Sequence, residues 1–249
     1  MIREPGNQSS ADSEQFERVE GVFERSAGGF AEKVDAFPKF ASRQAIAKFL
    51  ARDEIFKRTL GVNGSVVECG VLHGGGLLTF AKLSSIYEPV NHVRKVIGFD
   101  TFAGFPSVST VDSASGTSEH LTRGGLTGSS REDVEEAVAL YNANRPLSHI
   151  PKVELVEGDL TETAPRYLAE NPHLVVSLLY LDVDLYEPTK AALETFVPRM
   201  PRGAVVAFDE LNAKIFPGET QAVDEVIGLS SLRIERLPFD SYVSFAVLD

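Results

Sequence analysis

The sequence predicts an α/β fold on a mostly parallel seven-stranded sheet, with helices on both faces and an antiparallel C-terminal edge. Three observations predict it. Short apolar runs alternate with helix-like patterns from residue 66 onward. Several runs, such as VVSLL at 175–179, are apolar at successive positions, as in strands covered on both faces. Glycine or acidic residues stand at the end of each run, where such sheets bind ligands.

The elements follow in order. Residues 1–15 are polar and are expected to be mobile. Phe16, Val19, Val22, Phe23, Phe30 and Phe37 recur irregularly, which suggests a short helix and an arm. The chain therefore divides into an N-terminal arm, 1–40, and a main domain, 41–249. Ile46, Phe49, Leu50 and Ile55 follow a helical spacing over 42–59, and GVNG at 61–64 ends that helix. VVECGV (66–71) reads as a strand, LLTFAKLSSIY (77–87) as a helix and KVIGFD (95–100) as a strand. Residues 103–130 are rich in Ser, Thr and Gly and are expected to form a long loop that serves as a lid for the acceptor. Residues 131–144 read as a helix with Ser130 as its N-cap. Strands are expected at 152–159, 175–184 and 203–210, and helices at 164–171, 187–200 and 220–230. Pro188 suits the first turn of the helix at 187. LRIERLPF and SYVSFAVL complete the sheet as two edge strands.

Composition narrows the function. The chain has 249 residues with 24 Lys+Arg against 36 Asp+Glu, a formal charge of -12. Phosphate backbones need clustered positive charge, so nucleic acid is excluded as a partner, as is an anionic membrane surface. No apolar run reaches the ~20 residues of a membrane span. The N-terminus lacks a signal-peptide core, and one cysteine, Cys69, gives no internal disulfide and no Cys-based zinc site. A cytoplasmic protein is expected.

The chemistry-bearing residues sit at the strand ends. ECGVLHGGG, Glu68 to Gly76, joins a strand to a helix, and its glycines permit a sharp turn and a close ligand. The dinucleotide pattern G-x-G-x-x-G fails, because Leu72 stands where its second glycine belongs. Asp100 ends the next strand, 30 positions after Gly70, where a carboxylate accepts both ribose hydroxyls of a nucleotide-like cofactor. Asp159 ends the third strand and is either a ligand contact or a helix cap. Asp182 and Asp184 lie two apart, which on an extended strand points both to one side. Asp209 and Glu210 end the neighbouring run. Converging carboxylates repel, and a hard divalent cation such as Mg²⁺ relieves that repulsion. Asp184 also suits a helix cap. His73 is read as a contact of the cofactor or acceptor or as a plain turn residue, and His120 as an exposed loop histidine. G-x-S-x-G is absent, and no glycine run is followed by Lys-Ser or Lys-Thr, so a P-loop is excluded.

ECGVLHGGG, GFDTFAGFP, LDVDLYEPTKAALE, RGAVVAFDE and GETQAVDE stand in the order seen in the macrocin O-methyltransferase (TylF-type) family, and the resemblance covers about residues 40–230. It implies a Rossmann-like class I methyltransferase fold and S-adenosylmethionine (SAM) as cofactor. It further implies Mg²⁺ and a small-molecule hydroxyl acceptor on a sugar or secondary metabolite, with a homo-oligomer of two or more copies. Under that resemblance the cofactor would meet Glu68, Gly70, His73, Gly74, Gly75, Asp100, Thr101, Phe102, Asp159, Leu160 and Asp182. The metal would meet Asp182, Asp209 and Glu210, and Asp182 or Asp184 would act as the base. The chain departs from the family's D-D-Y: it reads Asp209-Glu210-Leu211-Asn212. Three alternatives stay open: a SAM- or nucleotide-binding protein with a decayed metal site, a metal-independent N- or C-methyltransferase, and, against the failed glycine pattern, a dehydrogenase.

Overall fold

The computed structural model describes residues 10–249, without the side chains of residues 10–13, 16, 17 and 115. The N-terminal stretch expected to be mobile lies outside the described residues up to residue 9; from Ser10 the chain is already helical. Two compact units are present, one ending at Lys48 and the other spanning Phe49–Asp249.

The first unit holds α1 (Ser10–Arg25), α2 (Phe30–Asp35), a 3-10 turn at Phe37–Lys39 and the start of α3 (Arg43–Arg58). Phe23 and Phe40 meet edge to face at 4.9 Å, and Lys33 Nζ donates to the Phe23 carbonyl at 2.7 Å. The arm is thus more regular than the irregular apolar spacing suggested.

The second unit carries the sheet: β1 (Ser65–Cys69), β2 (Val96–Asp100), β3 (Val153–Glu157), β4 (Val176–Leu181), β5 (Val205–Phe208), β6 (Glu235–Arg236) and β7 (Ser244–Val247). Their order is β3-β2-β1-β4-β5-β7-β6. The first five are parallel, and β7 runs antiparallel to both neighbours, as expected for the C-terminal edge. Both C-terminal strands, β7 and the edge strand β6, are shorter than their alternating patterns suggested. Between strands lie α4 (Gly75–Tyr87), α5 (Thr110–Ser115), α6 (Arg131–Ala143), α7 (Leu160–Glu170), α8 (Tyr186–Phe196) and α9 (Gly218–Val226).

Strand residues alternate between two cores. Val66, Leu178 and Tyr180 join Phe56, Phe80 and Tyr141 on one face. Val67, Cys69, Leu179 and Leu181 join Leu160, Leu193 and Phe196 on the other. This double burial explains the unbroken apolar runs in the sequence.

Several expected boundaries move. The helix expected from 164 begins at Leu160, because Asp159 caps it, and it carries Pro165 inside. The helix expected through residue 200 ends at Phe196 and tightens into a 3-10 turn that contains Pro198. Strand β4 ends at Leu181, three residues before the expected 184. No helix among the described residues is long and apolar enough to cross a membrane.

Candidate active site at the carboxyl ends of the strands

The sheet order reverses between β1 and β4, so the crevice beyond their carboxyl ends is the ligand-binding place in this class of fold. Register brings the key positions level. Cys69 pairs with Phe99 and with Leu181, and Leu181 pairs with Phe208. Gly70, Asp182 and Asp209 each follow one of those residues, and their N–H groups continue the ladder to Phe99, Cys69 and Leu181.

The glycine turn is held by Asp100. Its Oδ2 accepts the N–H groups of Val71 (2.7 Å) and Leu72 (2.9 Å), and its Oδ1 accepts that of Phe102 (2.8 Å). A carboxylate offers about four acceptor positions, so this leaves room for one further donor. That is narrower than the pair of ribose hydroxyls expected from the sequence. Leu72 (φ 51) and Phe102 (φ 53) are both left-handed, so the turn is strained on each side of Asp100.

The glycines have separate tasks. A Cβ at Gly70 would lie 1.9 Å from the Asp182 carbonyl oxygen, so this glycine is demanded by the neighbouring strand. A Cβ at Gly76 would lie 1.8 Å from Glu68 Oε1, which places the Glu68 carboxyl under the start of α4. Gly74 is the left-handed N-cap of α4 (φ 76), and Gly75 faces open space, the side left for a ligand. His73 Nδ1 meets Ser129 Oγ at 3.1 Å, and the Ser129 N–H donates to the Leu72 carbonyl, which ties the far end of the 103–130 loop to the glycine turn. Thr101 donates its hydroxyl to the Gly104 carbonyl at 2.6 Å. Asp159 Oδ1 accepts both the N–H and the hydroxyl of Thr161, which makes Asp159 the N-cap of α7. The Leu160 side chain is buried in the apolar core, so its backbone is what remains for a ligand.

Beyond β4 and β5 the site is acidic. Glu210 is pushed up to about 10 by burial and then by the charges of Asp184, Asp209, Asp182 and Glu219. Glu219, at the start of α9, is raised well above the carboxylate range by burial and by Asp209 and Asp184, although its Oε1 accepts the Glu210 N–H at 3.1 Å. Glu68 is likewise raised by burial, with Arg52 opposing. Glu210 Oε2, Glu219 Oε2 and Glu68 Oε2 are buried with no hydrogen-bond partner among the described residues. Arg52 stays firmly protonated: burial opposes its charge, but its acidic neighbours Tyr180, Glu68, Asp182 and Asp209 favour the protonated form and outweigh it. Its Nη2 lies 3.5 Å from Asp182 Oδ2, and its guanidinium stacks over the Tyr180 ring at 5.2 Å. Tyr180 in turn donates its hydroxyl to Asp209 Oδ1 at 2.8 Å. Among the described residues, no group of three or more His, Cys, Asp or Glu is arranged so as to hold a metal ion. The ends of β4 and β5 bring the acids near one another without closing them into a coordination shell.

Two expectations about Asp184 change. It does not continue the strand, since its φ of 62 is left-handed, so the period-two argument does not set its direction. Nor is it the cap: the N-cap of α8 is Leu185. Asp184 is buried, and its charge is felt by Glu210 and Glu219. Arg52, Asp112 and Glu219 were not assigned from the sequence. Arg52 stands four positions before the buried Phe56 on its helix, which is a faint signal, and Glu219 lies within GETQAVDE.

The 103–130 loop is not bare. It contains α5, Phe105 meets Phe216 edge to face at 6.3 Å, and Phe105 exchanges backbone hydrogen bonds with Gly124 and Gly125. Short polar residues hid these contacts, which are tertiary. His120 lies in a turn of this loop, its N–H donating to Ser118 Oγ at 3.2 Å.

Known proteins share this architecture. The model of the macrocin O-methyltransferase (TylF) family matches residues 44–228. The crystal structure of CalS11, calicheamicin methyltransferase, superposes with a TM-score of 0.91 at 34% identity, over 99% of this chain and 98% of that one. The apo structure of CalS11, described as a TDP-rhamnose 3'-O-methyltransferase of calicheamicin biosynthesis, gives 0.83 at 35% identity over 96% and 95%. The O-methyltransferase NovP, at 23% identity, TM-score 0.66 and coverage of 82% and 80%, shares the fold. No curated protein matches the sequence significantly. The family model spans most of the chain and CalS11 superposes over nearly all of it, so this chain belongs to the macrocin O-methyltransferase (TylF) family of SAM-dependent methyltransferases.

Proposed function

We propose that this protein methylates a sugar hydroxyl, with SAM as donor, Mg²⁺ as metal and a deoxysugar nucleotide or sugar-bearing secondary metabolite as acceptor. It would act in the cytoplasm as a homo-oligomer. The observation that carries the reading is the acidic floor beyond β4 and β5, next to the glycine turn. Buried Glu210 and Glu219 each retain an oxygen with no hydrogen-bond partner among the described residues, and the donor set is all oxygen, which suits a hard divalent cation. Asp182, Asp209 and Glu210 would hold it. A cation there lowers the acceptor hydroxyl's pKa and fixes its direction. The likeness to CalS11 supports a sugar nucleotide as acceptor.

The chain's own residues divide the remaining work. Asp100 and the glycine turn hold the cofactor, with one acceptor position on Asp100 left for the ribose. Asp182 or Asp184 takes the hydroxyl proton. Arg52 pairs with Asp182, and Tyr180 orients Asp209. The acceptor oxygen attacks the sulfonium methyl in line as the methyl–sulfur bond breaks and S-adenosylhomocysteine (SAH) leaves, and most of the gain comes from alignment.

The test is transfer of labelled methyl from SAM to a panel of TDP-deoxyhexoses, before and after chelation. Turnover lost with chelator and restored by Mg²⁺ supports the reading. Full turnover in chelator removes the metal. SAM binding with no methylated sugar removes the acceptor class.

A further inference from the structure

We propose that Asp112 is a positioning residue for methyl transfer: from the acceptor loop it pins the turn that carries Asp182 and Asp184. The inference rests on the function proposed above for what it does to turnover, but the contact itself is independent of that reading.

Asp112 lies on α5 and is 1% exposed. Its Oδ1 accepts the N–H of Tyr186 at 3.0 Å, a contact between residues 74 apart in the chain. Its Oδ2 accepts the hydroxyl of Ser109 at 2.7 Å, and Ser109 Oγ accepts the Asp112 N–H at 3.2 Å. Both carboxylate oxygens are therefore committed to fixing geometry.

Tyr186 is the first residue of α8, and its N-cap, Leu185, has no side chain able to serve the first-turn N–H groups. Asp112 serves one of them from a distant segment. The residues just before it form a strained turn. Asp184 is left-handed, and the Leu185 N–H donates to the Val183 carbonyl at 2.6 Å. Such a conformation persists only where its surroundings over-determine it. On the β4 side, the Asp182 N–H is fixed to the Cys69 carbonyl at 2.8 Å. On the α8 side, Asp112 holds Tyr186. The two anchors bracket both aspartates.

Helix α9 packs against the same bond. A Cβ at Gly218 would lie 1.9 Å from Asp112 Oδ1 and 2.5 Å from the Tyr186 nitrogen. Gly218 precedes Glu219, so one carboxylate joins the loop, the turn of Asp184 and the helix of Glu219. Misplacing a reacting group by an ångström costs up to about a hundredfold in rate.

The experiment compares Asp112→Ala, Asp112→Asn and Ser109→Ala with the wild type. Three quantities are read: hydrogen exchange at the Tyr186 amide, SAH affinity, and turnover per folded molecule on the TDP-deoxyhexose panel. Asp112→Ala is expected to speed Tyr186 exchange and to lower kcat by about ten- to a hundredfold, with SAH affinity and acceptor KM nearly unchanged. Asp112→Asn keeps an oxygen for Tyr186 and is expected to recover most of the kcat. Unchanged kcat or unchanged Tyr186 exchange in Asp112→Ala overturns the proposal. So does a loss of SAH affinity in parallel with kcat, which marks general unfolding of the site. If Asp112→Ala does not fold, Ser109→Ala decides: a smaller kcat loss in the same direction supports the proposal, and wild-type kcat overturns it. If the wild type methylates no sugar nucleotide, the proposed function fails while Tyr186 exchange still decides the contact.

Discussion

Gly70 and Asp182 touch across the switch point: a Cβ on Gly70 would stand 1.9 Å from the Asp182 carbonyl oxygen. The first glycine of the turn is thus required by the strand that carries the central aspartate. Gly70 also has φ 91, where a side chain is strained. Gly70→Ala is expected to cost about 3 kcal/mol from overpacking and backbone strain together. Turnover should fall further than stability does, because Asp182 is displaced. Urea unfolding and methyl transfer on the same preparation separate the two effects.

Arg52 is the cation facing Asp182 and buried Glu68. Arg52→Met should destabilise the protein by about 2–4 kcal/mol, because buried acids lose their compensating charge. Arg52→Lys should recover part of that loss, since an ammonium keeps the charge but cannot stack over Tyr180 as a plane. Denaturant midpoints of the three proteins test this; a stable Met variant would show that the acids need no internal cation.

Asp209→Asn should leave the fold nearly intact, because its amide oxygen still accepts the Tyr180 hydroxyl. The expected loss is at least about a hundredfold in turnover, with SAH affinity near wild type. In the metal-free wild type, Mg²⁺ at about 100 times its dissociation constant should add about 2.7 kcal/mol of stability, and that gain should vanish in Asp209→Asn. Thermal melts with and without Mg²⁺ read it directly. Equal Mg²⁺ shifts in both proteins would remove Asp209 from the metal site.

Lys152 offers a pH test far from the site. It is buried, donates to the Asn91 carbonyl at 2.7 Å, and is lowered from 10.5 to about 8 by burial, with Glu88 opposing and Arg94, Arg145 and Lys95 adding to it. A depressed lysine binds fewer protons in the folded state, so its contribution is present above 10.5 and is lost as pH falls through about 8. Wild-type stability relative to Lys152→Met should therefore fall from pH 10.5 to pH 8 and level off below. A flat difference across that window would show that Lys152 titrates normally.

Much of the fold was legible because its signals are local. VVSLLYL announces a strand buried on both faces, and ECGVLHGGG announces a strand, a turn and a helix. The positions of Asp100, Asp182 and Asp209 at strand ends follow from the same runs. The direction of Asp184 did not follow, because a residue after a strand need not keep its period, and here the backbone turns left-handed. Asp159 shows that a strand-end acid also serves its own helix: its Oδ1 accepts the N–H and hydroxyl of Thr161.

By itself the sequence determined the alternation of strands and helices, the glycine turn, the excess of acid at the strand ends and the family likeness. These depend on hydrophobic period and on neighbours in the chain. Only the tertiary structure decided that Arg52 faces Asp182, that Glu219 meets Glu210, and that Asp112 from the loop holds Tyr186. Each joins residues on different elements, and buried charges and hydrogen bonds answer to distance in space, which packing sets and no local pattern records.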